Sequence, residues 1–273
     1  GSRMSFYLHQ SMSDDQREPI EEERHPNNVN SILREKMLNH DTGSFENESE
    51  TVRNLSELFV EAPEEELLRF CRARGGSFEG ASEMYKAYLK WRQGQGAPSN
   101  LLQAYQATDS KYARHTGFAK DGSPLILCQG ARYDPDIGAE TTALALAHFV
   151  DSILDAADAR KVTVLVDVRP HVGWPNVPAV KMMSFFSLAA SIFSDNYPER
   201  GQRIIIFPMP FVVRGLWAVV SRLFDPRTRD KFVILGGSAE KGSPCPVELS
   251  DYIALDQLPA DARHMFAELE SCS

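Results

Sequence analysis

Metal-ligand spacing is missing from this chain. Its four cysteines, Cys71, Cys128, Cys245 and Cys272, form no CxxC or CxxH pair, so neither a zinc site nor a disulfide framework is indicated. Sparse, scattered thiols suit a reducing compartment, and a cytoplasmic location is expected. No run of about 18 consecutive apolar residues occurs, which excludes a transmembrane span at this level and leaves peripheral contact as the expected relation to membranes. The opening GSRMSFYLHQ carries no apolar stretch and no signal peptide is visible; Gly1 to Arg3 read as a vector remnant before Met4. Basic residues are in deficit. With 29 Lys and Arg against 38 Asp and Glu, the formal net charge of -9 would repel a phosphate backbone, and nucleic acid is not expected as a partner.

Enzyme signatures are lacking as well. There is no G-x-S-x-G elbow, no H-E-x-x-H pair and no G-x-G-x-x-G after the first strand. GGSAEKGS places Lys241 ahead of Gly242, the reverse of the order that aims a lysine at phosphate, and reads as a surface turn. The histidines are dispersed, and His148 within an apolar helix reads as a hydrogen-bonded core residue. Asp167, ending VTVLVDV, occupies a place where α/β enzymes carry catalytic groups; a structural carboxylate bonding the next loop is the favoured reading. No catalysis, no cofactor and no metal are expected, and the chain is expected to be a monomer.

What is present is ordinary globular composition, 42% hydrophobic and 25% charged. Residues 1–28 are rich in Asp, Glu, Ser and Gln and are expected to form a disordered tail. Residues 29–96 show helical periodicity in SILREKML, SETVRNLSELFV, PEEELLRFCRAR and SFEGASEMYKAYLKWRQ, which predicts a small N-terminal helical bundle. Pro63 and Glu64 to Glu66 mark the start of the third helix, and Arg72 and Arg74 before Gly75-Gly76 mark its end. The stretch GQGAPSN separates this bundle from residues 97–273. There HTGFA and PLILCQG flank a KDGS turn, and strands KVTVLVDV, QRIIIFPM and KFVIL alternate with apolar helices. That alternation predicts βαβ crossovers, an α/β fold with a mostly parallel sheet.

The helices are more apolar than such a sheet requires. Pro178 to Phe193 and Phe211 to Phe224 carry too many large side chains for one narrow stripe. At about 1.5 Å per residue the second is near 21 Å long, short of a hydrocarbon core of about 30 Å. A buried core helix and a mobile cover remain open, since periodicity cannot separate them. Phe211 to Lys231 holds five basic residues against two acidic ones, a positive patch in an acidic chain.

From Pro63 to Pro259 the motifs LLRFCRARGGSFEGASEMYKAYLKWR, KDGSPLIL, VLVDV, NYPERGQRIII and FVVRGLWAVVSRLFDPRTRDKFVIL follow one another in the order and spacing of the CRAL-TRIO lipid-binding family. The chain resembles that family, and most closely its yeast-type phosphatidylinositol transfer members. The resemblance implies a deep apolar lipid pocket floored by the sheet, lined by Val162, Val164, Val166, Met183, Phe186 and Ile206. It implies a mobile gate helix carrying Phe211, Val212, Leu216, Trp217, Val220 and Phe224. A phosphatidylinositol headgroup would be held by Arg74, Glu199, Thr228 and Lys231, the cations neutralising the phosphodiester. The expected activity is binding a phospholipid and transferring or presenting it between membranes through transient peripheral contact. A lipid-gated interaction module holding a sterol or isoprenoid is the alternative. Three departures stand out. Gly75 replaces a basic residue that often follows the arginine. Val162 and Val164 align with the Ser and Thr that contact phosphatidylcholine, which puts exchange of that lipid in doubt. LDQLPADARHMF lacks the Gly-Gly that commonly follows the LP motif.

Overall fold

Side-chain alternation along three strands sorts the sheet into two unlike faces. Successive residues of a strand point to opposite sides, so Val162, Val164 and Val166 of β3 (Val162–Asp167) share one face while Thr163, Leu165 and Asp167 share the other. Ile126 and Cys128 of β2 (Pro124–Gln129) and Ile204 and Ile206 of β4 (Gly201–Met209) join the first set. The five-stranded order is β1-β2-β3-β4-β5, with β1 (Ala113–Phe118) antiparallel to β2 and every other pair, to β5 (Phe232–Gly236), parallel. The computed structural model describes residues 47–109, 111–170, 177–210, 214–224, 226–238 and 247–258. The expected tail and the SILREKML helix lie outside them.

Helices α4 (Pro98–Ala107), α5 (Ala139–Ile153) and α6 (Met183–Asn196) pack on the first face, with Leu101, Ala143, Ala147, Phe185 and Ile192 in its core. The opposite face carries Leu125, Leu127, Leu165, Ile205 and Phe207. It is covered, among the described residues, by Leu249 of a short 3-10 segment and by Ile253 and Leu258 of the irregular chain after it, rather than by the long helices a parallel sheet suggests. Helix α4 was not legible in GQGAPSN. Its Pro98 occupies the first turn, where a missing N–H costs nothing, so a residue that reads as a separator instead starts a helix.

The N-terminal helices α1 (47–58), α2 (Glu64–Ala73) and α3 (Phe78–Gln93) share a core of Val52, Leu55, Leu67, Phe70, Tyr85 and Tyr88. Gly75 and Gly76, at φ of 60° and 83°, end α2 in the left-handed region that a side chain resists. Polar groups join these helices to the sheet layer. Arg92 makes a bidentate pair with Asp151 of α5 at 2.7 and 2.9 Å, and its guanidinium lies over the rings of Tyr88, Trp91 and Tyr197. Arg69 donates to the carbonyls of Ala156 and Asp158, and Arg200 donates to those of Asp155 and Asp158. The loop between α5 and β3 is thereby held from two sides.

Candidate functional site

The apolar face of the sheet does not close completely against its helices. Val162, Val164, Val166, Ile204 and Ile206 form the floor of a cavity of about 990 Å³, at the upper end of the roughly 300–1,000 Å³ found for small-molecule sites. Its helical wall is the stripe Met182, Phe185, Phe186, Ala189, Ala190 and Phe193, spaced by three and four residues as one face of a helix requires. Of the expected pocket residues, Met183 is the exception. It is half-buried on the flank of that stripe, one residue and about 100° from Met182, which takes its place on the wall.

Among the described residues, the gate segment forms an α-helix, α7, over Arg214–Val220 that tightens into a 3-10 turn over Ser221–Leu223. Phe211 and Val212 lie outside the described residues, as does the side chain of Leu216. Trp217, Val220 and Phe224 line the cavity, and Trp217 and Phe224 pack on Phe232 of β5 with ring centroids 4.7 and 4.9 Å apart. Val219 and Leu223 are 52% and 39% exposed. The helix thus has apolar residues lining the cavity and apolar residues exposed to water.

Polar groups gather where β3, β4 and β5 begin. Arg74, Glu199, Thr228 and Lys231 all line the same cavity, brought there from the end of α2, the α6–β4 turn, the short helix α8 (Pro226–Arg229) and the residue before β5. Glu199 is the only non-glycine described with a positive φ, 57°, a conformation costing roughly 1–2 kcal/mol. A glycine would adopt it without strain, so the carboxylate is what the position supplies. Glu199 Oε2 accepts from Lys161 Nζ at 2.7 Å and pairs with Lys231 Nζ at 3.6 Å. Lys161 was not foreseen. The parallel register that pairs Val162 with Gly201 places it beside the start of β4, a relation that no local motif encodes. Arg227, also unforeseen, lines the cavity and donates to the Arg72 carbonyl at 3.0 Å, in the last turn of α2, a carbonyl that also accepts the Gly75 N–H. Arg74 is exposed, and among the described residues its guanidinium forms no ion pair. Counting Lys161, Lys231, Arg74 and Arg227 against Glu199 and the lining Asp195, this rim carries an excess of positive charge.

Burial by itself would raise the Glu199 carboxyl, but the Lys161 hydrogen bond and the Lys231 charge outweigh it, and the net shift is downward. A depressed carboxylate contributes stability above its ordinary value of about 4.3 and loses it as pH falls through the lowered native value. A carboxyl NMR titration is therefore expected to place the Glu199 midpoint below about 4.3, and Lys161→Met to move it upward. A midpoint near 6 would contradict the ion-pair geometry.

Asp167 is held in a buried pair. It and Arg169 are each 1% exposed, and its carboxylate accepts from the Arg169 backbone N–H and guanidinium at 3.0 to 3.1 Å. This is the loop-bonding carboxylate that the sequence favoured. Among the described residues no three His, Cys, Asp or Glu side chains converge to hold a metal, and no helix is long and apolar enough to cross a membrane.

Comparison with known proteins adds an independent line. The family described as CRAL/TRIO domain matches residues 109–262. Protein real-time of Anopheles gambiae is 29% identical over 220 residues, covering 71% of this chain and 30% of that protein. A CRAL-TRIO domain-containing protein of Saccharomyces cerevisiae is 26% identical over 219 residues, covering 71% of this chain and 68% of that protein. A phosphatidylinositol/phosphatidylcholine transfer protein of Arabidopsis thaliana is 24% identical over 188 residues, covering 62% and 32%. The chain thus spans about a third of the length of the mosquito and plant relatives. The crystal structure of Sfh5 aligns with a TM-score of 0.49 at 15% identity, over 63% of this chain and 64% of that one.

Proposed function

The chain belongs to the CRAL/TRIO domain family, and from that premise we propose that it is a non-catalytic carrier that binds a phospholipid, phosphatidylinositol foremost, and transfers or presents it at membrane surfaces. One observation carries the reading: a large apolar cavity has its polar residues gathered at one end, beneath a short helix with apolar side chains on both sides. Acyl chains entering the cavity leave water at about 0.8 kcal/mol per methylene. The phosphodiester meets Arg74 and Lys231, and Glu199 accepts inositol hydroxyls while holding both lysines in place. Thr228 adds a hydroxyl at the same rim.

Helix α7 acts in this reading as the gate. Its exposed Val219 and Leu223 favour an interface, and the exposed Arg222, Arg227 and Arg229 beside them favour anionic lipid at about 1 kcal/mol per well-placed residue. Trp217→Asp places a carboxylate against Phe232, in the apolar wall. The variant is expected to lose at least tenfold in transfer of labelled phosphatidylinositol between vesicles and to bind vesicles more weakly. Unaltered binding and exchange would remove the gate role. Native mass spectrometry of the purified chain, followed by lipid extraction, identifies the cargo directly.

A further inference from the structure

A second, smaller cavity lies where α2 and α3 meet the ends of α5 and α6. It measures about 150 Å³, room for a few waters at about 30 Å³ each or for one tetrahedral oxyanion. Tyr197, Pro198 and Arg200 line this cavity and the large one alike, so the turn that presents Glu199 is a wall shared by both. The lining of the large cavity is mostly apolar. That of the small one is mostly charged.

Arg69 and Arg200 both line it and are 8% and 6% exposed. Arg69 donates to the carbonyls of Glu65, Ala156 and Asp158 at 2.9 to 3.1 Å, and Arg200 to those of Asp155, Asp158 and Arg160. Carbonyls bring dipoles but no net charge. Among the described residues neither guanidinium forms an ion pair and neither Nε makes a hydrogen bond. Burial, and after it the neighbouring Arg200 charge, lowers the Arg69 guanidinium to about 10. Of the other charges around the cavity, Arg92 and Asp151 neutralise each other in their bidentate pair, and Asp155 is exposed, its carboxylate taking the Ala157 N–H at 2.9 Å. Only Glu66, 6% exposed and bonded by the Tyr85 hydroxyl at 3.1 Å, is as deeply buried as the two arginines. Two buried cations thus face one buried anion, and a buried charge without a counter-charge is costly.

We infer that the small cavity is a binding site for a free inorganic oxyanion, phosphate or sulfate, held between the guanidiniums of Arg69 and Arg200. Guanidinium N–H groups match the oxygens of such an ion in geometry, and the ion supplies the charge that the carbonyls lack. Tyr88 also lines the cavity, and because its hydroxyl already accepts from Arg92 Nε at 3.0 Å, its own proton is available to the ion. Glu66 repels the ion, but its single charge is outweighed by the two cations. The site is separate from the headgroup rim and does not depend on the lipid-carrier reading. Its occupant would lie behind the turn that presents Glu199.

Calorimetric titration of the whole chain with inorganic phosphate, at constant ionic strength, is expected to show one saturable site. Removing either arginine would also cut its carbonyl bonds and lower stability, so the site is better blocked than dismantled. Ala156 is exposed and lines the small cavity. Ala156→Glu adds a carboxylate there while removing no side-chain bond, and is expected to weaken phosphate binding at least tenfold without lowering the unfolding midpoint. The rim cations could bind phosphate too, and Lys231→Ala separates them, since it is expected to leave the phosphate site unchanged. No saturable heat in the unaltered chain, loss of the site in Lys231→Ala, or undiminished binding by Ala156→Glu each overturns the assignment. Glycerophosphoinositol titrated in parallel distinguishes a lipid headgroup from a free ion: binding of it that Ala156→Glu abolishes would give the cavity to a headgroup and overturn the free-ion site.

Discussion

Lys231→Ala is expected to lower phosphatidylinositol transfer between vesicles by roughly ten- to a hundredfold, the worth of one charge-assisted hydrogen bond of about 1.5–3 kcal/mol, with little change in the unfolding midpoint. The geometry separates those two effects. Lys231 is half-buried at the cavity rim, and its partner Glu199 keeps a second, shorter bond to Lys161 at 2.7 Å when Lys231 is removed. No buried charge is left uncompensated, so folding is spared. A lipid phosphate, by contrast, loses the cation that opens β5. Transfer that continues at the unaltered rate, measured with labelled phosphatidylinositol, would remove Lys231 from the headgroup assignment. Lys161→Ala provides the converse comparison, because it disturbs Glu199 without removing a cavity-lining cation.

Asp167→Ala is expected to cost about 3–5 kcal/mol of stability, the usual penalty for breaking a buried pair by removing one partner. Arg169 would remain 1% exposed, its guanidinium 4.9 Å from the Phe207 ring centroid, without the carboxylate that faces it. A loss of that size is a large fraction of the 5–15 kcal/mol that holds a domain together. Urea unfolding followed by circular dichroism should show the midpoint falling with little change in slope. A variant as stable as the parent would mean that water or a neighbouring group compensates Arg169. Asp167→Asn is expected to retain part of the loss, since one amide oxygen still accepts from the Arg169 backbone N–H.

These two residues show how differently function and stability were legible. Lys231 and Glu199 were found by resemblance, and the structure brings them to one cavity with Arg74 and Thr228. Lys161 and Arg227 were not found. The first reaches Glu199 only through the register between two parallel strands, and the second through an arginine's contact with a helix end 155 residues away in sequence. Asp167 was read as a structural carboxylate bonding the next loop, and the structure shows that its partner there is Arg169. Helix α4 was hidden because Pro98 breaks helices in their interior but suits their first turn.

By itself the sequence determined what depends on neighbours along the chain. Its periodicities of two and three to four residues mark the strands and most of the helices, and their alternation dictates a mostly parallel sheet. The tertiary structure alone decided what α7 faces and which lysines hold Glu199. Those facts depend on register and packing between distant segments. Side-chain periodicity repeats identically whether a helix borders a packed core or an open cavity, so no local pattern could have distinguished them.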